Sequence, residues 1–368
     1  MNIVYASHVP IPSHRAYAVH VMHMCSAFAE LGHNVTLYSL PGSDLNSNVH
    51  SYYGIKNKFN IKYVRQIGFR GIAGLIYGWN IVSICRKNIP PNVFYSRHIY
   101  SAFFASLNGW KVIYEVHMPV KNIFHRAILR FIYKRNYNFK IISITNSLKK
   151  KYLKDLKFLK LNDIQVHPDG SKLPRKYSKI QKQNTTEIGY IGNLYPGKGI
   201  ELIIKIAALL PEINFHIIGG RDSDINFWKK KYNGKNLKFH GYINHGDLDK
   251  FYNLFNICLL PLQNYVSPDG GKADISKWTS PMKMFEYMSH NKAIIASDLP
   301  VLQEILKNNY NAIIVESKNA KLWIKAIKLL LKDNSLLMRL ANNAYFDIKN
   351  RYTWKARCEN ILSNIKIK

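Results

Sequence analysis

The run Ala293–Ser297, AIIAS, has no polar face. A strand that is apolar on both sides must be covered on both sides, which is the setting of a strand inside a parallel α/β sheet. Its flanks agree. Before it, Ser280-Pro281 reads as a helix entry, with a hydroxyl at the cap and a proline in the first turn. Met282, Met284, Phe285 and Met288 give the helix that follows an apolar side. After the run, Ser297-Asp298 leaves the C-terminal end of the strand, where open α/β sheets place their ligands.

The helix start offers unsatisfied N–H groups, with Ser280 beside it and Lys283 in its first turn. Together these make a ready anion site. One turn deeper, Glu286 can accept hydrogen bonds from a pair of hydroxyls, such as those of a ribose. The same residues also fit a capped core helix carrying one solvated glutamate, and spacing alone does not choose between the two.

The rest of the chain repeats the strand–helix alternation. NIVYA (2–6) reads as a short buried strand, and SHVPIPSHRAY as a loop. A helix with Val21, Met24, Cys25, Phe28 and Leu31 on one face follows, ended by Gly32, and then the strand NVTLYSL. No G-x-G-x-x-G follows the first strand, so no dinucleotide cofactor is expected. Gly68, Gly71, Gly74 and Gly78 are expected to break any long helix between 51 and 90. PNVFYSR, KVIYEVHMP and IISIT read as strands, with His117 at a strand end and Glu115 two residues before it on the same face. Two basic segments read as amphipathic helices. One carries Ala127, Ile128, Phe131 and Ile132 on its apolar side, the other Leu148, Tyr152, Leu156 and Leu159. Each fits either a core stripe with solvated lysines or a helix lying on an anionic membrane surface. The polar tract KYSKIQKQNTTE shifts the composition, and a domain boundary is expected near residue 180. The 368 residues suffice for two domains with substantial cores.

Four scattered cysteines, Cys25, Cys85, Cys258 and Cys358, have no C-x-x-C or His partner at ligand spacing. They read as buried thiols, not zinc ligands or disulfides. No run of about 18 apolar residues occurs, so no membrane span is expected, and MNIVYASHVP does not read as a secretory signal. The formal charge of +31 is concentrated early. Residues 1–180 hold 26 lysines and arginines against 6 acids, a balance of +20. Nucleic acid, anionic lipid, and a composition rich in Lys, Asn and Ile remain open as explanations.

The block SPMKMFEYM-x5-IIASDLPVLQEIL resembles the nucleotide-sugar signature of family 4 glycosyltransferases. The resemblance implies a GT-B fold: two Rossmann-like doubly wound α/β domains facing across a cleft, with the C-terminal helix crossing back to the first. The implied division is 1–178, plus 352–368, for an acceptor-binding domain, and 184–351 for the nucleotide-sugar domain.

In the family, the Lys198-Gly199 pair ends a loop whose lysine contacts the donor diphosphate. Asn193 stands where an arginine is common, leaving Arg221 or Lys283 to compensate. Backbone contacts to the base fall to Tyr242 and Ile243. Thr279, Ser280, Pro281, Lys283 and Glu286 complete the donor set. His117 matches the histidine that approaches the donor sugar, and with Lys198 and Glu286 it forms the implied catalytic group. Two departures stand out. Ser13-His14-Arg15 replaces the Gly-Gly of the first loop, and these residues fit either the donor phosphates or solvent beside an acceptor groove. Trp278 stands where the first glutamate of Glu-x7-Glu belongs, leaving Lys272, Asp274, Trp278 or Thr279 to replace it. RYTWKAR resembles the T/S-W-x-x-R/A start of the closing helix.

The implied activity is retaining, metal-independent transfer from a nucleotide-diphosphate sugar, a co-substrate, with no cofactor. The acceptor is a glycan or lipid-linked, in capsule, lipopolysaccharide or exopolysaccharide synthesis. A cytoplasmic site, with peripheral contact to anionic membrane and no nucleic-acid partner, goes with it. A GT-B epimerase or hydrolase, and a basic nucleic-acid-binding protein, are the alternatives.

Overall fold

The computed structural model describes residues 1–43, 48–69, 71–136, 139–174, 186–232 and 234–363. The chain forms two compact units, Met1–Pro168 with Trp354–Lys368, and Asp169–Thr353. The expected linker, 178–184, lies outside the described residues.

The first unit runs β1 (Asn2–Ile11), α1 (Ala16–Glu30), β2 (Asn34–Pro41), α2 (Val49–Tyr52), β3 (Asn60–Tyr63), α3 (Ala73–Lys87), β4 (Val93–Ser96), α4 (Ile99–Leu107), β5 (Val112–Val116), α5 (Ile123–Arg135), β6 (Lys140–Ser143), α6 (Asn146–Asp155) and β7 (Ile164–Val166). Its parallel sheet has the order β3-β2-β1-β4-β5-β6-β7. The order reverses between β1 and β4, and that reversal opens a crevice at the strands' carboxyl ends.

The second unit runs β8 (Glu187–Ile191), α7 (Ile200–Leu209), β9 (Asn214–Ile218), α8 (Asp222–Lys231), β10 (Leu237–Gly241), α9 (Asp249–Leu254), β11 (Ile257–Leu260), α10 (Met282–Ser289), β12 (Ala293–Ser297), α11 (Pro300–Gln303), β13 (Ile313–Val315), α12 (Ala320–Lys332) and α13 (Asn334–Arg351). The order β10-β9-β8-β11-β12-β13 puts its reversal between β8 and β11. AIIAS is the interior strand its composition demands. Ala293 and Ile295 pack into one core layer, and Ile294 and Ala296 into the other. The last helix, α14 (Trp354–Ser363), belongs to the first unit and packs on α1.

Several local expectations need correction. The first strand continues past Ala6 to Ile11, after a register shift against β2 between Ala6 and Pro10. Gly74 and Gly78 do not break a helix. They lie inside α3, where a Cβ on Gly78 would stand 2.8 Å from the backbone nitrogen of Ser101. Glycine there serves the close approach of α3 to α4, a helix the sequence reading missed. On α5 the buried side is Ile128, Leu129 and Ile132, while Ala127 and Phe131 face solvent. Helix α6 stops at Asp155, so Leu156 and Leu159 are buried from the turn beyond it. Ser280 is not a helix cap, since its hydroxyl accepts the backbone N–H of Asp169 at 3.0 Å. Pro281 occupies the cap position of α10, and no side chain bonds the first-turn N–H groups.

Candidate donor site and the buried Glu115 hub

In the second unit, glycines clear the carboxyl ends of the strands. Gly192, after β8, adopts φ 147°, and a Cβ there would meet Lys283 Nζ at 2.4 Å. Gly219, after β9, lies so close that its Cβ would touch the Gly192 carbonyl oxygen at 2.4 Å. The β8–α7 loop is pinned to the loop after β11. Gln263 N donates to Gly197 O at 2.9 Å, and Ser267 N to Pro196 O at 3.1 Å. A Cβ on Gly199 would collide with Pro261 O at 2.0 Å, which is why this position needs glycine in its left-handed conformation. Lys198, between these contacts, is half-buried, and burial lowers its pKa to about 8.

Lys283 is the more unusual cation. Its ammonium is sealed from solvent and has no hydrogen-bond partner. It lies 3.8 Å from the centre of the Tyr190 ring, whose hydroxyl donates to Asn193 O at 2.8 Å. Burial, and next the charge of Lys198, push its pKa well below the usual lysine value, with Glu286 opposing. A buried ammonium without an anion costs free energy. A bound anion would relieve that cost.

Glu286, one turn along α10, has a partner on each oxygen. His245 Nε2 lies 2.7 Å from Oε1, and the Tyr252 hydroxyl donates to Oε2 at 2.6 Å. Burial alone would favour the acid form. His245 beside it, with the two hydrogen bonds, outweighs burial and holds the pKa below its usual value. Carboxylate oxygens each carry two acceptor positions, so the two partners fix the group without saturating it. His290 stacks on Tyr252 with ring centres 4.1 Å apart and binds Asp249 at 3.1 Å, which steadies the donor of that second bond. His245 and Tyr252 escaped the sequence reading because they lie 41 and 34 residues from Glu286.

The remaining donor candidates gather around this edge. Arg221, at the start of α8, donates to the Tyr195 hydroxyl at 3.2 Å and so sits on the loop that carries Lys198. Tyr242 is exposed just after β10, and Ile243 packs partly into the core. Thr279 and Ser280 are buried beside Pro281, and Asn193 is half-buried. Asp274 accepts the backbone N–H groups of Val266 and Ser276 at 3.0 and 2.8 Å, so its carboxylate builds the loop. Lys272 is exposed and Trp278 half-buried.

In the first unit, Glu115 on β5 is 2 % exposed and collects partners from five other elements or loops. Its Oε1 lies 2.5 Å from His117 Nε2, 2.7 Å from His20 Nε2 and 4.0 Å from Arg97 Nε. Oε2 accepts from Tyr95 and, at 3.0 Å, from Arg357 on α14. The same guanidinium donates to the carbonyls of Pro168 and His167 at 2.9 and 3.1 Å. Trp354 packs on His20 and His23, with ring centres 5.1 and 6.0 Å away. The tryptophan and arginine of the closing motif therefore both act on α1 and β5. Burial opposes ionisation of Glu115, but the charges of Arg357 and His20 and the hydrogen bonds from His117 and His20 hold its pKa well below the ordinary range. His117 is lowered to about 4, by burial and then by Arg97, against the pull of Glu115. A neutral His117 donating Nε2–H to an ionised carboxylate keeps its lone pair on Nδ1, free to accept from a hydroxyl. His20, Glu115 and His117 also have the donors for a cation. Arg357 and Arg97 already balance this carboxylate and would repel one.

The first loop is held by tyrosines. Ser13 N donates to the buried Tyr53 hydroxyl at 2.6 Å, and His14 Nδ1 lies 2.6 Å from the Tyr52 hydroxyl. Arg15 is exposed and turns back to Tyr17.

Two doubly wound sheets with the closing helix returned to the first define a GT-B protein. Comparison with known proteins agrees. Residues 174–346 match the family model described as glycosyl transferases group 1. An uncharacterised glycosyltransferase of Methanocaldococcus jannaschii is 24 % identical over 89 % of this chain and 83 % of its own. The N,N'-diacetylbacillosaminyl-diphospho-undecaprenol α-1,3-N-acetylgalactosaminyltransferase of Campylobacter jejuni is 28 % identical over 41 % of this chain and 36 % of its own. Among solved structures, HepE of Anabaena in complex with UDP-glucose superposes with a TM-score of 0.69 at 13 % identity, covering 99 % of both chains. The match to the group 1 glycosyltransferases, family 4, thus falls on the second unit, and the chain is an enzyme that transfers sugar from a nucleotide sugar.

Proposed function

We propose that the enzyme moves a sugar from a UDP-sugar to a glycan or lipid-linked acceptor, with retention and without a metal. The observation that carries this reading is the Lys283 ammonium, buried, without a hydrogen-bond partner and close against Gly192. With Lys198 and the uncapped start of α10, it forms a positive site matched to a diphosphate, and cations placed this way replace a metal. Glu286 is assigned to the ribose, the backbone after Gly241 to the base, and His117 Nδ1 to a hydroxyl of the transferred sugar. In the reaction the bond from the anomeric carbon to the diphosphate oxygen breaks. The acceptor oxygen bonds to that carbon on the same face, and its proton goes to the departing diphosphate. The choice of UDP is supported by the ligand named for HepE, and a lipid-linked acceptor by the name of the Campylobacter enzyme.

A thermal-shift panel of UDP-, GDP-, ADP- and CMP-sugars tests the donor, since a bound ligand raises the melting temperature. The expected result is a shift by a UDP-sugar that survives EDTA. No shift by any of them contradicts the reading. Donor turnover without an acceptor would favour a hydrolase or epimerase instead.

A further inference from the structure

A row of polar side chains crosses three neighbouring strands of the second unit, β8, β9 and β10. Glu187 on β8 and His216 on β9 are buried, and His240 on β10 is half-buried. Asn214 donates to Glu187 Oε1 at 2.9 Å. His216 Nε2 lies 2.6 Å from Glu187 Oε2, and His216 Nδ1 lies 2.8 Å from His240 Nε2. The two imidazole planes differ by 11° with centres 5.1 Å apart. Since the bonded nitrogens are far closer than the centres, the rings meet edge to edge. The register of β10 against β9 shifts between Phe239 and Gly241, and His240 is the residue that the shift leaves without a register partner. A bulge of this kind re-aims a side chain. Phe251 of α9 packs on His240, and Phe255 on His216, with ring centres 5.1 and 5.7 Å away. The charged groups around the pair are Glu187, Lys238 and, across the Phe251 ring, Lys250.

His240 stands directly before Gly241, whose backbone is left-handed at φ 73° and whose carbonyl accepts the Gly219 N–H at 2.7 Å. Five residues on, His245 lies 2.7 Å from Glu286. The segment 241–245 is therefore held at both ends. We infer that Glu187, His216 and His240 anchor the strand end presenting Gly241–Ile243, which makes His240 a positioning residue for the nucleoside part of the donor. The inference rests on the assignment of this backbone to the base, whereas the anchor itself rests on the packing of the second unit. The anchor responds to protons. A Glu187 carboxylate needs a hydrogen on His216 Nε2, so a neutral His216 accepts His240 Nε2–H on Nδ1. One added proton still leaves a single hydrogen between the two rings. A second sets N–H against N–H and breaks the bond. Burial, then the charges of His216 and Lys238, hold the pKa of His240 below the ordinary histidine value, so the bond stands at neutral pH. The folded chain resists the second proton and the unfolded chain does not, so the anchor is lost as pH falls.

Calorimetric titration of UDP-glucose, with backbone amide exchange of the ligand-free full chain, tests the inference in wild type, His240→Gln and His240→Leu. A glutamine amide donates to His216 Nδ1 with its nitrogen or, turned over, accepts with its oxygen, so it bonds in either protonation state. Leucine can do neither. At about pH 7.5 wild type and His240→Gln should bind alike, and His240→Leu about three- to tenfold more weakly. On acidification to about pH 5 the wild type should lose affinity by a similar factor and His240→Gln should not. Exchange at 241–245, corrected for its intrinsic pH dependence, should quicken in wild type over the same range and be fast at both pH values in His240→Leu. If His240→Leu does not fold, the contrast between wild type and His240→Gln decides. Wild-type affinity and exchange in His240→Leu, or an acid loss that His240→Gln shares, would overturn the anchor. Altered exchange with unaltered affinity would overturn the positioning role. Altered exchange with no UDP-glucose bound by any of the three would contradict only the functional reading.

Discussion

Lys283 is where function and stability part. Its buried ammonium has no hydrogen-bond partner, and burial with the charge of Lys198 outweighs the attraction of Glu286, so Lys283→Met should leave the ligand-free melting temperature unchanged or raised while removing most of the donor-induced shift. A lysine held for packing would show the opposite, a lower melting temperature and an intact shift. Lys198 sets a pH dependence. Its pKa is lowered to about 8, so it is charged below that value and neutral above it. The kcat/KM for donor should therefore fall as pH rises through about 8, and Lys198→Met should lose that step together with about ten- to a hundredfold in affinity. The identities of Lys198, Lys283 and Glu286 were legible because they lie in short contiguous motifs. Their settings were not. Tyr190, Gly192, His245 and Tyr252 reach them through the packing of separate elements, which no local pattern encodes.

At the scale of elements, α3 and α14 are the instructive cases. Helix propensity alone favours Gly78→Ala by about 1 kcal/mol. The new methyl would stand 2.8 Å from the backbone of Ser101, and forcing two helices apart costs about 1–3 kcal/mol, so the clash should win or cancel the gain. A melting temperature raised by several degrees would show that α3 and α4 can separate cheaply. For α14, Arg357→Met removes the nearer of the two guanidinium groups beside the buried Glu115, a loss of up to about 3–5 kcal/mol that Arg97 and the hydrogen bonds from His20, His117 and Tyr95 reduce. Adding Glu115→Gln should cost less than the sum of the two single changes. Acid titration gives the second check. Glu115 has a depressed folded pKa, so its contribution to stability is present above the ordinary carboxylate range and fades as pH falls through the folded value. The buried strands were mostly legible because short apolar runs mark parallel strands covered on both faces, whereas β3, with no fully buried residue, was not. Helix α4 was missed because its nine residues, IYSAFFASL, are apolar or small all round and carry no periodic polar face. In α3 the glycines were taken for breaks when they were contact points.

For the whole molecule, the order of elements and the closing motif carried most of the fold, since each strand–helix repeat admits one handedness and one sheet type. The charge imbalance was visible in the sequence, but its meaning depended on which side chains the fold leaves exposed. Ala127 and Phe131 were read into one apolar stripe with Ile128 and Ile132, and the fold leaves them exposed while the other two are buried. The central claim is that cations at the strand ends of the second unit grip the diphosphate of a nucleotide sugar while Glu286 holds its ribose. Calorimetric titration of UDP-glucose into the wild type and into Lys283→Met, Lys198→Met and Glu286→Gln tests it most directly. Measurable binding by the wild type is predicted, with a loss of at least about tenfold in each variant. Undiminished affinity in all three variants, or binding of the nucleoside with no contribution from its phosphates, would contradict it.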